Sequence, residues 1–218
     1  MLGAVGRTEE ALAALQEGLD AARALGDAWW IAYGLAHLSA VRAARGELEA
    51  ALDASREAVA LAARHGVGYP LILARTHLLW QQVLASPGHP AHAAEIAAAR
   101  AAAEALGLQG LAVFLTWVGL LHRVADPTVV DDALAGELAA GITLYRARAP
   151  LKGSWETLAL RVREGVAACR PGVALVDLDA LVDEVVAQKA ESLDLEEREA
   201  FRASRRARTV SLTAWRGW

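Results

Sequence analysis

The sequence contains no asparagine and only one cysteine, Cys169, among its 218 residues. Without asparagine there is no acceptor for N-linked glycosylation. A single cysteine can form neither an intramolecular disulfide nor a multi-cysteine metal site, so we expect Cys169 to be a small buried hydrophobe. These two absences exclude disulfide-stapled folds and folds held by several cysteine ligands.

The sequence also lacks a long apolar run and a dominant charge. Its longest apolar run, residues 111–121, is about half of what a bilayer crossing needs, and it predicts a helix buried between neighbours. Residues 1–7 lack the apolar stretch of a signal peptide. The formal net charge of -4 provides no basic footprint for nucleic acid or an anionic membrane. We therefore expect a cytoplasmic protein that binds neither directly.

Common catalytic motifs are missing as well. The patterns GxxxxGK[ST], GxGxxG, GxSxG and HExxH do not occur, which excludes the phosphate-binding loops, the nucleophile elbow and the zinc-peptidase helix that they mark. His89 and His92 are close in sequence, but they straddle a turn, and surface turn residues are the favoured interpretation over a metal site. We expect no enzymatic activity, no cofactor and no metal.

An internal repeat dominates what is present. Residues 6–12 align with residues 46–52 at an offset of 40, and at the same offset Gly26 meets Gly66. A third copy is shifted by about one more residue and places Gly107 at the same point. Alanine-rich helices resemble one another by chance, but that bias does not produce regularly spaced glycines. A period of this length indicates stacked helical hairpins.

Each period predicts two helices. Residues 30–45 carry apolar side chains at helical spacing and end at Gly46, and residues 47–65 form a second stripe that ends at Gly66. The next pair covers residues 69–85 and 91–106, with Pro90 at the first helical position. In the preceding partial repeat, we expect four residues to face inward: Leu12, Leu15, Leu19 and Ala22.

These residues support a family resemblance. Residues 26–38, followed by Gly46 and the alanine- and leucine-rich helix that ends at Gly66, resemble the roughly 40-residue tetratricopeptide-type repeat. They are similar to the variant that lies C-terminal to the nucleotide-binding domain in bacterial signalling ATPases and LuxR-type transcription activators. The resemblance covers about residues 1–125. It implies an all-α, right-handed superhelical solenoid of antiparallel hairpins, with about 9–10 helices in the whole chain, and a surface for proteins, peptides or ligands.

Residues 126–218 keep the helical periodicity without the glycine rhythm. We expect degenerate hairpins or a closing cap that continues the solenoid, with a frayed tail after about residue 208. Thr128 and Ser154 are predicted N-caps, residues 149–153 a linker, and Asp194 with Glu197 a capping box. The predicted inward residues form three groups: Val130, Leu134, Leu138, Ile142 and Tyr145; Trp155, Leu158, Val162 and Val166; Leu178, Leu181, Val182 and Val185.

The candidate binding residues lie on the first helices of the hairpins, which line the concave face of such solenoids. Four of the seven tryptophans fall there, and core packing is the expected role for at least half of these four. Exposed aromatic side chains on that face would anchor a partner. The candidates are Trp29, Tyr33, His37, Arg75 and Trp80.

Two functions remain open at this point. The first is a protein- or peptide-binding helical-repeat scaffold, a fragment or arm of a larger bacterial signalling ATPase or transcriptional regulator. The second is a small-molecule effector-sensing domain of such a regulator. Both follow from the resemblance and from the lack of catalytic motifs.

Overall fold

The structure is a computed structural model that describes residues 8–124, 132–148, 155–169, 176–191 and 199. Within these ranges it is all-helical, as the sequence predicts, and has nine α-helices. They are α1 (Thr8–Leu25), α2 (Ala28–Ala44), α3 (Leu48–His65), α4 (Gly68–Ala85), α5 (Ala91–Ala105), α6 (Gln109–Val124), α7 (Asp132–Arg148), α8 (Trp155–Cys169) and α9 (Val176–Glu191).

The periodic glycines end helices in the same way. Gly26 and Gly66 have φ angles of 68° and 66°, in the left-handed region that a side chain disfavours. In both turns the amide of the next residue donates to a carbonyl five positions back: Asp27 to Ala22, and Val67 to Ala62, each at 3.1 Å. This is the hydrogen bond that closes a Schellman-type helix end. The 40-residue spacing of these glycines therefore marks equivalent turns.

Packing contacts join neighbouring helices. From α1 to α6 each helix contacts the next one along the chain, α7 contacts α9, and α8 contacts α9. In addition, α2 contacts α4, α4 contacts α6, and α6 contacts α8. The even-numbered helices thus lie side by side, and the odd-numbered helices from α3 to α7 lie against them.

The core runs through these even-numbered helices. Trp80 of α4 and Trp117 of α6 are 1% and 0% exposed, which confirms that half of the four first-helix tryptophans pack in the core. The apolar run at residues 111–121 lies in α6 and is buried along most of its length, as predicted. Burial of such large side chains is the main stabilising contribution to a fold of this kind.

A buried polar network links α2, α3 and α4. The Gln81 side chain donates to Ser39 Oγ at 3.1 Å and accepts from Ser55 Oγ at 2.9 Å, and Ser39 Oγ donates to the Ala36 carbonyl at 2.7 Å. All three polar side chains are 0% exposed. Because each one finds a partner, the network avoids the cost of buried unpaired polar groups.

Several expectations for the second half of the chain are confirmed. The predicted inward residues with described side chains are all buried: Leu134, Leu138, Ile142, Tyr145, Leu158, Val162, Val166, Leu178, Leu181 and Val182. Val130, Thr128, Ser154, the linker 149–153, the capping box and the tail lie outside the described residues, as do the side chains of Trp155, Cys169 and Val185. Helix α5 begins at Ala91, so Pro90 precedes the helix and is not its first residue.

Two glycines provide a test of how closely the helices pack. A Cβ atom added at Gly165 of α8 would lie 2.4 Å from Val124 Cγ2 and 2.9 Å from Val124 Cβ, whereas one added at Gly18 of α1 meets nothing within 4 Å. We expect Gly165→Ala to lower the free energy of unfolding by about 1–3 kcal/mol through overpacking. Gly18→Ala, the matched control, should raise it by about 0.5–1 kcal/mol because alanine favours the helix. Urea denaturation of both variants checks the pair, and equal effects would contradict the close α6–α8 contact.

Candidate functional site

A two-residue turn positions the aromatic start of α2. Gly26 ends α1, and the Asp27 carboxylate then accepts hydrogen bonds from the backbone N–H groups of Trp29 and Trp30, at 3.0 and 3.1 Å. These are the hydrogen bonds that an N-cap aspartate usually accepts. The turn holds both tryptophans beside the end of α1, where Leu25 is 83% exposed.

The aromatic side chains of α2 form a cluster with one ring from α4. Trp29 stacks on Tyr33 with ring centroids 5.1 Å apart and on Tyr69 at 6.4 Å, while Trp30 meets Tyr33 edge-on at 5.6 Å. Offset-stacked and edge-on geometries are the favourable ones for aromatic pairs. Trp30 is 55% exposed and Tyr69 37% exposed. The cluster therefore presents a wide apolar edge to solvent on a rigid base.

The ring contacts continue from this edge into the core. Tyr33 contacts His37 at 4.4 Å, His37 lies 6.3 Å from His77, and His77 lies 6.4 Å from Phe114 of α6. Nδ1 of His77 is 2.8 Å from the Ala36 carbonyl oxygen and donates to it when the neutral ring carries its proton on Nδ1. Burial, reinforced by the nearby His37 and opposed by the Ala36 hydrogen bond, lowers the pKa of His77 to about 4. Burial also lowers the pKa of His37.

The structure brings together three of the five predicted binding residues. Trp29, Tyr33 and His37 are half-buried members of the aromatic cluster or its continuation. Arg75 is exposed on α4. It follows Tyr69 by six residues, which places it about 120° around the helix and therefore on a different face. Trp80 departs from the expectation of a groove-facing anchor, because it is 1% exposed and packs edge-on against Phe114 at 5.9 Å.

An apolar groove adjoins the cluster. It has a volume of about 340 Å³ and runs between α1 and the start of α2, where Trp30, Tyr33 and Gly34 form one wall. The other wall is a face of α1 made of small and aliphatic residues: Ala14, Leu15, Gly18, Ala21, Ala22 and Leu25. Of the residues predicted to face inward, Leu19 and Ala22 are buried at the base of this groove, whereas Leu15 is half-buried and faces its open side. Tyr33 belongs to both features, so groove and cluster form one surface, which we call the aromatic-edged groove.

Sequence reasoning missed half of this surface. Trp30 and Tyr69 were assigned no role beyond their place in the repeat, and the α1 wall was interpreted as core. The signal was available in part, because an apolar flank of α1 that includes Ala14, Ala21 and Leu25 lies beside the predicted inward stripe. What the periodicity could not show is that this flank meets the aromatic end of α2.

A second groove lies between α5, α6 and α7. Its volume is about 630 Å³, its floor includes Ile96, Leu115 and Leu120, and its edges carry Arg100, Glu104 and the ion pair between Arg123 and Glu137. Gly119 and Gly141 also line the groove; a Cβ atom added at Gly119 would make only ordinary contact with Ile96, whereas one added at Gly141 would lie 3.1 Å from Leu120 Cδ1. The size is within the range of small-molecule sites, which is about 300–1,000 Å³.

Three histidines meet near this second groove. The His92 ring is 5.0 Å from that of His89 and 5.9 Å from that of His122, and His92 is 7% exposed. The sequence had not connected His122 with the other two. Within the described ranges, however, no set of three or more histidine, cysteine, aspartate or glutamate side chains is arranged to hold a metal ion.

Among the described helices, none combines the length and hydrophobicity that a membrane-spanning helix requires. Comparison of the chain with family models, with curated proteins and with solved structures finds no match. The resemblance to tetratricopeptide-type repeats therefore stays a prediction from the residues that carry it.

Proposed function

We propose that the chain is a protein- or peptide-binding helical-repeat scaffold, an arm of a larger bacterial signalling ATPase or transcriptional regulator. The observation that carries this proposal is the aromatic-edged groove. It combines exposed Leu25, Trp30 and Tyr69 with an apolar trough of about 340 Å³. Contiguous apolar surface of this kind marks interaction sites, and tryptophan and tyrosine are the side chains most often found at their energetic centres.

The packing supports a solenoid as the scaffold. In a stack of tetratricopeptide-like hairpins, first helices should contact first helices of adjacent hairpins, as α2, α4, α6 and α8 do. The equivalent turns at Gly26 and Gly66, followed by Gly107 with a φ of 70°, give successive hairpins the same closing geometry. In this arrangement the aromatic-edged groove lies at one end of the stack, where α1 and α2 have no further hairpin beside them in the described residues.

A peptide-display selection tests the proposal. The purified chain should enrich a family of peptides that the double variant Trp30→Ala/Tyr69→Ala fails to retain, because the variant loses both exposed rings. Arg75→Ala, on a different face of α4, is the control and should retain the same peptides. Enrichment of no family, or of peptides held equally by the double variant, would contradict the proposal.

The groove between α5, α6 and α7 favours a second candidate function, the sensing of a small effector. Its apolar floor with Arg100, Glu104, Arg123 and Glu137 at the edges fits a compact molecule with both apolar and charged parts. A ligand that binds only the folded chain raises its melting temperature. A thermal-shift screen of metabolites should then yield a compound whose effect is lost in Gly119→Leu, which fills the groove at a position where a Cβ atom meets only ordinary contact. A null screen would leave peptide binding as the better account.

A further inference from the structure

The internal repeat shows what kind of structure the aromatic-edged groove can hold, because the same helix face occurs twice. Helices α1 and α3 are both 18 residues long and are related by the 40-residue offset. The residues of α3 equivalent to Ala14, Leu15 and Gly18 of the groove wall are Ala54, Ser55 and Ala58. They are 4%, 0% and 0% exposed. The second copy of the face is therefore completely covered.

The cover on α3 is a helix. Helix α3 is held between α2 and α4, and α2 contacts both of them. Ser39 of α2 reaches Ser55 of α3 through Gln81 of α4, so α2 lies in the angle between the other two. The residues of α2 that are buried are small or aliphatic: Ala32, Leu35, Ala36, Leu38 and Ser39.

On α1 the same positions are open. Ala14 and Gly18 are exposed and Leu15 is half-buried. The 40-residue offset relates α1 to α3 and α2 to α4. The angle between α3 and α4 is occupied by α2. The corresponding angle, between α1 and α2, is the groove. Gly18 takes the place of Ala58, and this allows an occupant to approach α1 at least as closely as α2 approaches α3.

Carboxylates at the edge of the groove favour an occupant with positive charge. Glu10 and Glu17 are seven residues apart on α1 and therefore share a face, directly beside Ala14 and Ala21 of the groove wall. Both are exposed. Over its whole length, α1 carries four carboxylates and a single basic residue, Arg23; Glu9 is paired with Arg45 and Asp20 with Arg23. An occupant with lysine or arginine along this flank would gain attraction and would bind more weakly as salt increases.

We propose that the aromatic-edged groove binds a basic amphipathic α-helix of another protein, seated between α1 and α2 as α2 is seated between α3 and α4. This rests on the proposed binding function and specifies its partner. The apolar face of that helix carries alanine and leucine at helical spacing, and its exposed flank carries lysine or arginine toward Glu17.

The first experiment uses a synthetic peptide that copies α2. Its sequence is that of residues 28–44 with Trp30→Lys and Ala44→Lys, the two exposed positions of α2, and it is labelled for fluorescence anisotropy. We expect saturable binding that weakens as salt is raised. A peptide with Trp30→Glu and Ala44→Glu should bind at least fivefold more weakly than the lysine peptide. The lysine peptide with the additional change Ala36→Pro, which breaks the helix, should not bind. Absence of binding by the lysine peptide overturns the inference.

Matched variants of the chain locate the site. Gly18→Arg fills the groove and should weaken peptide binding at least tenfold, while Ala13→Arg, exposed on the opposite side of α1, should change it less than twofold. Neither position strains the fold, because Gly18 has free space around it and Ala13 is exposed. Glu17→Lys should weaken binding severalfold, and Glu49→Lys on α3 should not. Equal binding to Gly18→Arg and Ala13→Arg would sink the inference.

Two results separate this inference from the broader proposal. If the displayed peptides are lost by the double variant Trp30→Ala/Tyr69→Ala but retained by Gly18→Arg, the chain binds peptides, and the inference that a helix fills the groove is wrong. If sedimentation shows a dimer of the wild-type chain that Gly18→Arg abolishes, a second copy fills the groove and the helix of another protein is again wrong.

Discussion

Trp80→Ala is expected to lower the free energy of unfolding by about 3–5 kcal/mol, the range for removing a fully buried aromatic side chain. Trp80 is 1% exposed and packs against Phe114 across the contact between α4 and α6. Its removal leaves a cavity that rigid helices on either side cannot close. Such a loss is a large fraction of the stability of a typical domain.

Trp30→Ala is the matched control for that experiment. It makes the same chemical change on a ring that is 55% exposed, so it should cost less than about 1 kcal/mol. Urea denaturation followed by far-UV circular dichroism measures both variants. Trp80→Phe should lose much less than Trp80→Ala, because Nε1 of Trp80 is buried without a hydrogen-bond partner among the described residues. Similar costs for Trp80→Ala and Trp30→Ala would contradict the buried position of Trp80.

The free energy of unfolding is expected to fall by about 3 kcal/mol as pH drops from about 6.5 to about 4, because of His77 alone. The pKa of His77 is about 4 in the folded chain and about 6.5 when the imidazole is exposed to solvent. Between these values the unfolded chain binds a proton that the folded chain does not, so acid favours unfolding. The contribution is complete above the unfolded pKa and is lost as pH falls toward the folded pKa. His37, whose pKa burial also lowers, acts in the same direction.

His77→Gln tests this directly. A glutamine amide can still donate toward the Ala36 carbonyl, but it does not titrate, so the slope of stability against pH in this window should flatten. Denaturation at several pH values measures the slope, and an NMR titration of the His77 imidazole measures the pKa itself. An unchanged slope in His77→Gln, or an imidazole that titrates near 6.5, would overturn the prediction.

The parts of the fold that local chemistry determines were readable from the sequence. Gly26 and Gly66 end helices because both turns need a left-handed residue, and the stripe of Leu158, Val162 and Val166 is buried because its spacing matches a helix. Such features depend on residues a few positions apart, so the order of residues is enough to predict them.

The site was only partly predictable, because exposure depends on which helices lie beside a residue. Trp29 of α2 and Trp80 of α4 have the same side chain, yet α6 packs against Trp80, whereas Trp29 lies beside the end of α1. Leu15 and Ser55 are equivalent in the repeat, and only Ser55 has a helix above it. The cluster of His89, His92 and His122 arises from packing between α5 and α6, which residue spacing does not encode.

The buried network around Gln81 has a consequence for how the helices can align. Alanine faces are smooth, so two of them can slide along each other or rotate by one residue with little change in contact. Gln81 bridges hydroxyl groups on α2 and α3 at once, and a shift of any of the three helices would leave at least one buried donor or acceptor unpaired, at about 1–3 kcal/mol each. Three polar side chains thus fix the axial register of α2, α3 and α4, whose alanine surfaces specify it only weakly.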